Sequence, residues 1–307
     1  MPIEPNPYTQ QVRLLLELLP YVATETDFAL KGGSAINLFI RDMPRLSVDI
    51  DLVYLPLHER ATSLHQIGTA FSRLADKIEA SMRGTQVKRL RQDASAVITK
   101  LVVQKAACSI KIEVSPVSRG CVHKPSVQAV QPNVEQRFGY AEMLVEHHDD
   151  VYAGKLCAAL DRQHPRDLFD VHLLLANEGI TPALKDTFLI YLISSNRPMA
   201  ELLDPNRLDI KAVYANEFVG MTNTHVPLEQ LLAAREQMIA TLHRLLTAQD
   251  REFLLSVKRG KPDWDLCVLP NAAKLPAVRW KLHNLVAMKP AQHQQALAKL
   301  EQVLAAS

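Results

Sequence analysis

The 307-residue sequence has no repeat and no low-complexity tract, and its 10 glycines and 18 prolines suit neither a fibrous nor a disordered chain. Long apolar runs are missing; the stretch at 190–193 is far too short to cross a bilayer. No charged start followed by a hydrophobic segment opens the chain, because Glu4, Arg13 and Glu17 interrupt residues 1–20. The four cysteines (Cys108, Cys121, Cys157, Cys267) lie far apart without a CxxC pair. That spacing excludes a zinc site or a disulfide frame and suits reduced thiols. GxSxG, HExxH and GxxxxGK[ST] patterns are absent too. What remains is a soluble, cytoplasmic protein with no membrane partner. With 48% apolar and 22% charged residues it can bury a substantial core, as one large domain or two modest ones.

A net charge of +2 conceals an uneven distribution. Residues 83–111 carry seven basic side chains against one acid, Asp93, and residues 251–289 carry eight against three. Two solvated faces would explain this, and so would two tracks for a polyanion. Charge alone does not decide. Lys258, Arg259 and Lys261 form the densest cluster, bracketing Gly260 in an expected exposed turn, and are the candidate contacts for such a polyanion.

Periodicity orders the chain. Residues 8–19 have helical spacing; 28–30 form a short apolar run ended by Lys31-Gly32-Gly33-Ser34; 35–40 resume as a helix that Ser34 could cap. Residues 47–54 alternate like a half-buried strand, and 58–82 read as a helix. Runs at 86–90, 96–104 and 107–114 suggest an antiparallel meander. From Asp149 onward strands cease, and 151–162, 165–175, 182–192, 228–246 and 291–304 read as helices. The expected division is a mixed α/β half, 1–176, and an all-helical half, 177–307.

Three short pieces carry chemistry. Gly32-Gly33-Ser34 at a strand-to-helix turn offers backbone that an anion can approach closely, although an ordinary tight turn has the same sequence. Asp49 and Asp51, two apart on a strand, point to one face, and such paired oxygen ligands suit Mg²⁺; a solvent-facing strand edge is the plain alternative. In the 109–114 run, Glu113 lies on the polar face and becomes a third carboxylate if that strand lies beside the Asp strand. Further on, Lys155 and Arg162 share one helical face, and Arg166 and Asp170 another, either as an anion site or as surface ion pairs. His147-His148-Asp149-Asp150 looks like a ligand cluster but reads better as a solvated turn.

The order of glycine turn, helix, DxD strand and later acidic strand is that of the polymerase-β-like nucleotidyltransferases. Lys31-Gly-Gly-Ser-Ala-Ile-Asn-Leu-Phe and Arg45-Leu-Ser-Val-Asp-Ile-Asp-Leu resemble, more closely, the AbiEii/AbiGii (MenT-like) family of nucleotidyltransferase toxins from type IV toxin–antitoxin and phage-defence loci. So do Ile112-Glu113-Val114, Lys155…Arg162…Pro165-Arg166-Asp167-Leu-Phe-Asp170, Phe253-Leu-Leu-Ser and Gly260-Lys-Pro-Asp-Trp. The gap from Ser34 to Asp49 is slightly longer than is usual for the superfamily.

The resemblance implies an α/β fold, with a polymerase-β-like core and a mixed sheet followed by a helical C-terminal domain. It implies transfer of a nucleoside monophosphate from an NTP to an acceptor hydroxyl, with two Mg²⁺ (or Mn²⁺) ions held by Asp49, Asp51 and Glu113. Gly32, Gly33, Ser34, Lys155 and Arg166 would bind the NTP, and Asp167 and Asp170 would complete the catalytic set. The implied acceptor is the 3′ end of tRNA, which makes RNA the polyanion for Lys258, Arg259 and Lys261, and the implied protein partner is an AbiEi-like antitoxin. Transfer to a small molecule of the aminoglycoside type, and an NTP-gated protein that sequesters a partner, are the alternatives.

Overall fold

The computed structural model describes residues 7–91, 97–222 and 224–305. Glu4, Asp93 and the first residue of the expected 96–104 strand lie outside them. The chain divides into two compact units: Met1–His148 with Met221–Asn223, and Asp149–Gly220 with Thr224–Ser307.

The first unit runs α1 (Pro7–Val22), β1 (Phe28–Lys31), α2 (Gly32–Ser34, continued as a π-helical segment Ala35–Ile40), β2 (Asp49–Tyr54) and α3 (Arg60–Ser81). It continues with β3 (Thr85–Arg91), β4 (Ile98–Lys105), β5 (Cys108–Val114), β6 (Ser126–Ala129), α4 (Pro132–Phe138) and β7 (Glu142–Val145). The strands form one mixed sheet in the order β3-β4-β5-β2-β1-β7-β6. β3, β4 and β5 are the antiparallel meander that the sequence predicts, while β2 pairs parallel with β5 and antiparallel with β1.

Alternation assigns the two faces of the sheet. Ile50, Leu52, Tyr54, Leu101, Val103, Ile110 and Ile112 are buried. On that face Phe28 packs its ring 5.5 Å from Tyr54 and 5.7 Å from Phe71 of α3. Burying several such side chains, at about 1.5–3 kcal/mol each, holds the helical layer to the sheet. The polar residues between them are thereby left on the opposite face.

The second unit is helical: α5 (His148–Arg162), α6 (Pro165–Asn177), α7 (Pro182–Ser194), α8 (Met199–Leu203), α9 (Lys211–Glu217), α10 (Leu228–Leu245), α11 (Ala248–Lys258), α12 (Pro276–Val286) and α13 (Pro290–Ala305). Three of its helix starts show recognisable N-terminal signals. Pro165 opens α6, Thr181 caps α7 by accepting from the Leu184 N–H, and Thr247 and Asp250 form a reciprocal capping box on α11. No helix among the described residues is long and apolar enough to cross a membrane.

The structure differs from the sequence expectations in several places. The compact units divide between His148 and Asp149, not at 176/177. α5 and α6 fall in the helical unit because the apolar stripe of α6 packs on α10. Seven elements have too short or too even a pattern to be found by periodicity: β6, α4, β7, α8, α9, α11 and α12. Ser34 is not an N-cap; it lies inside the helix at φ −72°, and makes no cap bond. Asp150 is not in a solvated turn either. It is fully buried in the first turn of α5 and accepts from the Tyr191 hydroxyl at 3.0 Å.

Candidate active site

The first cluster grows from the β1–α2 turn. Gly32 takes φ +69°, a conformation that L side chains rarely adopt, and this lets the chain leave β1 and enter the helix at once. Gly33 is required by contact: a Cβ there would lie 2.9 Å from an Arg45 guanidinium nitrogen and 3.1 Å from Ser47 Oγ. Arg45 is buried, and its Nη1 donates to the Leu46 carbonyl at 2.9 Å. The Ser34 hydroxyl donates to the Asp49 carbonyl and lies 3.0 Å from Ser47 Oγ. These bonds tie the glycine turn to the start of β2.

On β2 and β5 the register brings the acids together. Asp49 stands opposite Lys111, and Asp51 opposite Glu113. Lys31 on β1 stands opposite Asp51, and Lys100 on β4 opposite Glu113. Partners in register share a face, so three carboxylates and three lysines line one side of the sheet. Lys111 Nζ lies 3.3 Å from Asp49 Oδ1, and Lys100 Nζ 2.7 Å from Glu113 Oε2. Burial raises the Glu113 carboxyl, but the Lys100 hydrogen bond and the charges of Lys100, Lys111 and Lys31 outweigh it and leave the group below its ordinary value. A cleft of about 480 Å³ opens here, lined by Lys31, Asp51, Arg91, Lys100, Glu113 and Ser115.

In chemical type the donors suit a hard divalent cation, although the three carboxylates do not all lie within 4.8 Å of one another in this structure. Asp49, Asp51 and Glu113 offer carboxylate oxygen only, on adjacent rigid strands, with no sulfur or imidazole among them. The lysines offset the charge of the acids, and one of them, Lys31, directly precedes the glycine turn. Sequence inspection singled out none of Lys31, Lys100, Lys111 and Arg45 as site residues. Their signal was the β pairing itself, which a single sequence does not display.

In the second unit, Lys155 on α5 is buried, with Nζ 2.8 Å from Asp167 Oδ1 and 3.0 Å from Asp170 Oδ2 on α6. Arg162 Nε donates to Asp167 Oδ2 at 2.5 Å. Burial raises the Asp167 carboxyl, yet Lys155 and Arg162 together pull it well below the ordinary carboxylate range. The seven-residue spacing of Lys155 and Arg162 does give one shared face, and Asp167 is what they share. Arg166 and Asp170 are not paired: Asp170 turns to Lys155, and the Arg166 side chain has no hydrogen bond or ion pair among the described residues.

The expected basic cluster at the end of α11 is also corrected. Gly260 does turn, at φ +79°. Lys258, however, is only 7% exposed, because the last turn of α11 faces inward, and burial lowers its pKa. Arg259 is exposed and paired with Glu252 at 2.6 Å, leaving Lys261 as the exposed cation of the three without such a pair.

The family model for the AbiEii nucleotidyl transferase toxin of type IV toxin–antitoxin systems matches residues 13–284. In structure the chain is similar to MenT4, a nucleotidyltransferase toxin from Mycobacterium tuberculosis H37Rv. The TM-score is 0.61 at 14% identity, covering 91% of this chain and 92% of that one, a likeness of fold. No curated protein matches the sequence.

Proposed function

The chain belongs to the AbiEii family of nucleotidyltransferase toxins of type IV toxin–antitoxin systems, and from that premise we propose that it transfers a nucleoside monophosphate from an NTP to the 3′ end of tRNA. The bond from the α-phosphorus to the pyrophosphate oxygen breaks, and a new one forms to the acceptor hydroxyl. Pyrophosphate leaves. The single observation that carries this reading is the in-register pair of Asp51 and Glu113, with Asp49 on the same face, beside a glycine turn.

Asp49, Asp51 and Glu113 would hold Mg²⁺, which supplies charge neutralisation and lowers the pKa of a coordinated hydroxyl. Gly32, Gly33 and Ser34 would receive the triphosphate. Lys31 can follow Asp51 or an incoming phosphate. The depressed Glu113 carboxyl stays ionised near neutral pH, so it serves as a ligand and does not store the hydroxyl's proton, which passes to solvent. Lys155 and Arg166 are proposed to bind the NTP as point charge and fork respectively, with Asp167 and Asp170 fixing the Lys155 ammonium. An antitoxin protein is the proposed partner.

The test is incubation with each α-³²P-labelled NTP and total RNA, followed by gel analysis. Labelled tRNA should appear with Mg²⁺ and vanish in Asp51→Ala, while Glu113→Gln should cut turnover with little change in NTP affinity. An active Asp51→Ala enzyme would sink the metal assignment. Label that appears only on a small molecule would replace the RNA acceptor.

A further inference from the structure

At the far end of β2 from Asp49, a buried cation has no use in the reaction above. Arg119, in the loop after β5, is 6% exposed. Its Nε is buried without a hydrogen-bond partner. Its one hydrogen bond among the described residues runs from Nη1 to the His58 carbonyl at a long 3.5 Å, and no carboxylate there pairs with it. Arginine does not discharge near neutral pH, and an unpaired buried charge is costly.

The surroundings add positive charge. Arg60, the first residue of α3, lies close enough to oppose the charge on Arg119. α3 is 22 residues long, has no acid in its first turn, and its N-cap Glu59 makes no side-chain cap bond. Glu59 and Tyr54 favour the Arg119 charge, but by less than burial and Arg60 disfavour it. Tyr54 is held by His58, with its hydroxyl 3.1 Å from Nδ1, and its backbone carbonyl accepts from Gly120 N–H at 2.7 Å. These two bonds fix the loops on both sides of Arg119.

We propose that Arg119, Arg60 and the first turn of α3 form a binding site for a phosphate-like oxyanion, separate from the Asp51 cleft. A guanidinium fork and the N–H groups of a helix's first turn are the donors such an ion takes. Tyr54 points to the opposite face of the sheet from Asp51, so this anion is not the triphosphate received at the glycine turn. Inorganic phosphate and a phosphodiester of bound RNA share the required chemistry.

The test is thermal melting of the full chain in EDTA, with phosphate or chloride at matched ionic strength. Wild type should gain about 5 °C at a hundred-fold excess of phosphate over its dissociation constant. Arg119→Met should melt no lower than wild type in chloride, because it removes an uncompensated cation, and should lose most of the gain. Arg60 is exposed, so Arg60→Gln should fold in any case and weaken phosphate binding about tenfold by calorimetry. A short oligoribonucleotide replaces phosphate in a second arm. A gain there that depends on Arg119 assigns the site to a chain phosphodiester, and a gain with phosphate alone assigns it to the free ion. Equal gains in wild type and both variants overturn the proposal, as does no gain in wild type with either probe.

Discussion

Asp51 occupies the space that a side chain at residue 32 would need: a Cβ on Gly32 would lie 2.8 Å from Asp51 Oδ2. The glycine turn and the carboxylate are therefore one fitted unit, although 18 residues of chain separate them. Gly32→Ala would meet both this contact and the positive φ. It should cost about 1–3 kcal/mol of stability and displace Asp51. Melting and Mn²⁺ titration on the same variant check it; unchanged metal affinity would detach the turn from the site.

Lys155 and Asp167 are both almost fully buried, so removing either takes an ion-pair partner from the other and leaves Lys155 with Asp170 alone or Asp167 with Arg162 alone. Asp167→Asn should destabilise the protein by about 3–5 kcal/mol, and Lys155→Ala, which leaves two acids facing each other, by at least as much. Because the folded Asp167 carboxyl is held below its unfolded value, its stabilisation is present above the ordinary carboxylate range and is lost as pH falls below it. Acid unfolding curves should show a shallower low-pH loss in Asp167→Asn than in wild type. For this reason a kinetic role for Lys155 has to be tested with Lys155→Arg, which keeps the charge.

Lys281 on α12 is the opposite case. Burial, and then the charge of Lys258, push it down to about 8, while Nζ donates to the Ser195 carbonyl at 2.5 Å and the Arg197 carbonyl at 3.3 Å. Below pH 8 the folded protein carries an unfavourable charge. Between about 8 and the ordinary lysine value the unfolded state binds the extra proton, so stability rises with pH across that window. Urea melts of wild type and Lys281→Met from pH 7 to 10.5 should show a steeper rise in the wild type, the remainder in the variant coming from Lys258. Parallel curves would refute it.

For RNA binding, the exposed members of the α11 turn carry the expectation. Arg259→Glu with Lys261→Glu should flatten the log affinity versus log salt slope by roughly 0.7 to 0.9 per lost phosphate contact. Lys258→Met, which changes a buried side chain, should leave the slope alone and hold or raise the melting temperature. A small-molecule acceptor predicts no salt dependence in any of the three proteins.

The sequence by itself determined what depends on neighbours along the chain. Alternation in Ser47–Tyr54 and Ser109–Val114 sufficed to put Asp49 with Asp51 and to leave Glu113 on a polar face, because a strand's side-chain period is fixed by the backbone. Helical spacing likewise put Lys155 and Arg162 on one stripe, and the motif order pointed to the family that residues 13–284 match. Tertiary structure alone decided which strand lies beside which, and so that Lys31, Lys100 and Lys111 neutralise the acids, that Asp170 answers Lys155 and not Arg166, and that Lys258 turns inward. Those outcomes depend on pairing and burial between segments far apart in the chain, where Coulomb and desolvation terms act through space and leave no period in the sequence. Arg119 belongs with them: nothing around residue 119 marks it as buried, and only the packing of its loop against the start of α3 leaves its charge unanswered.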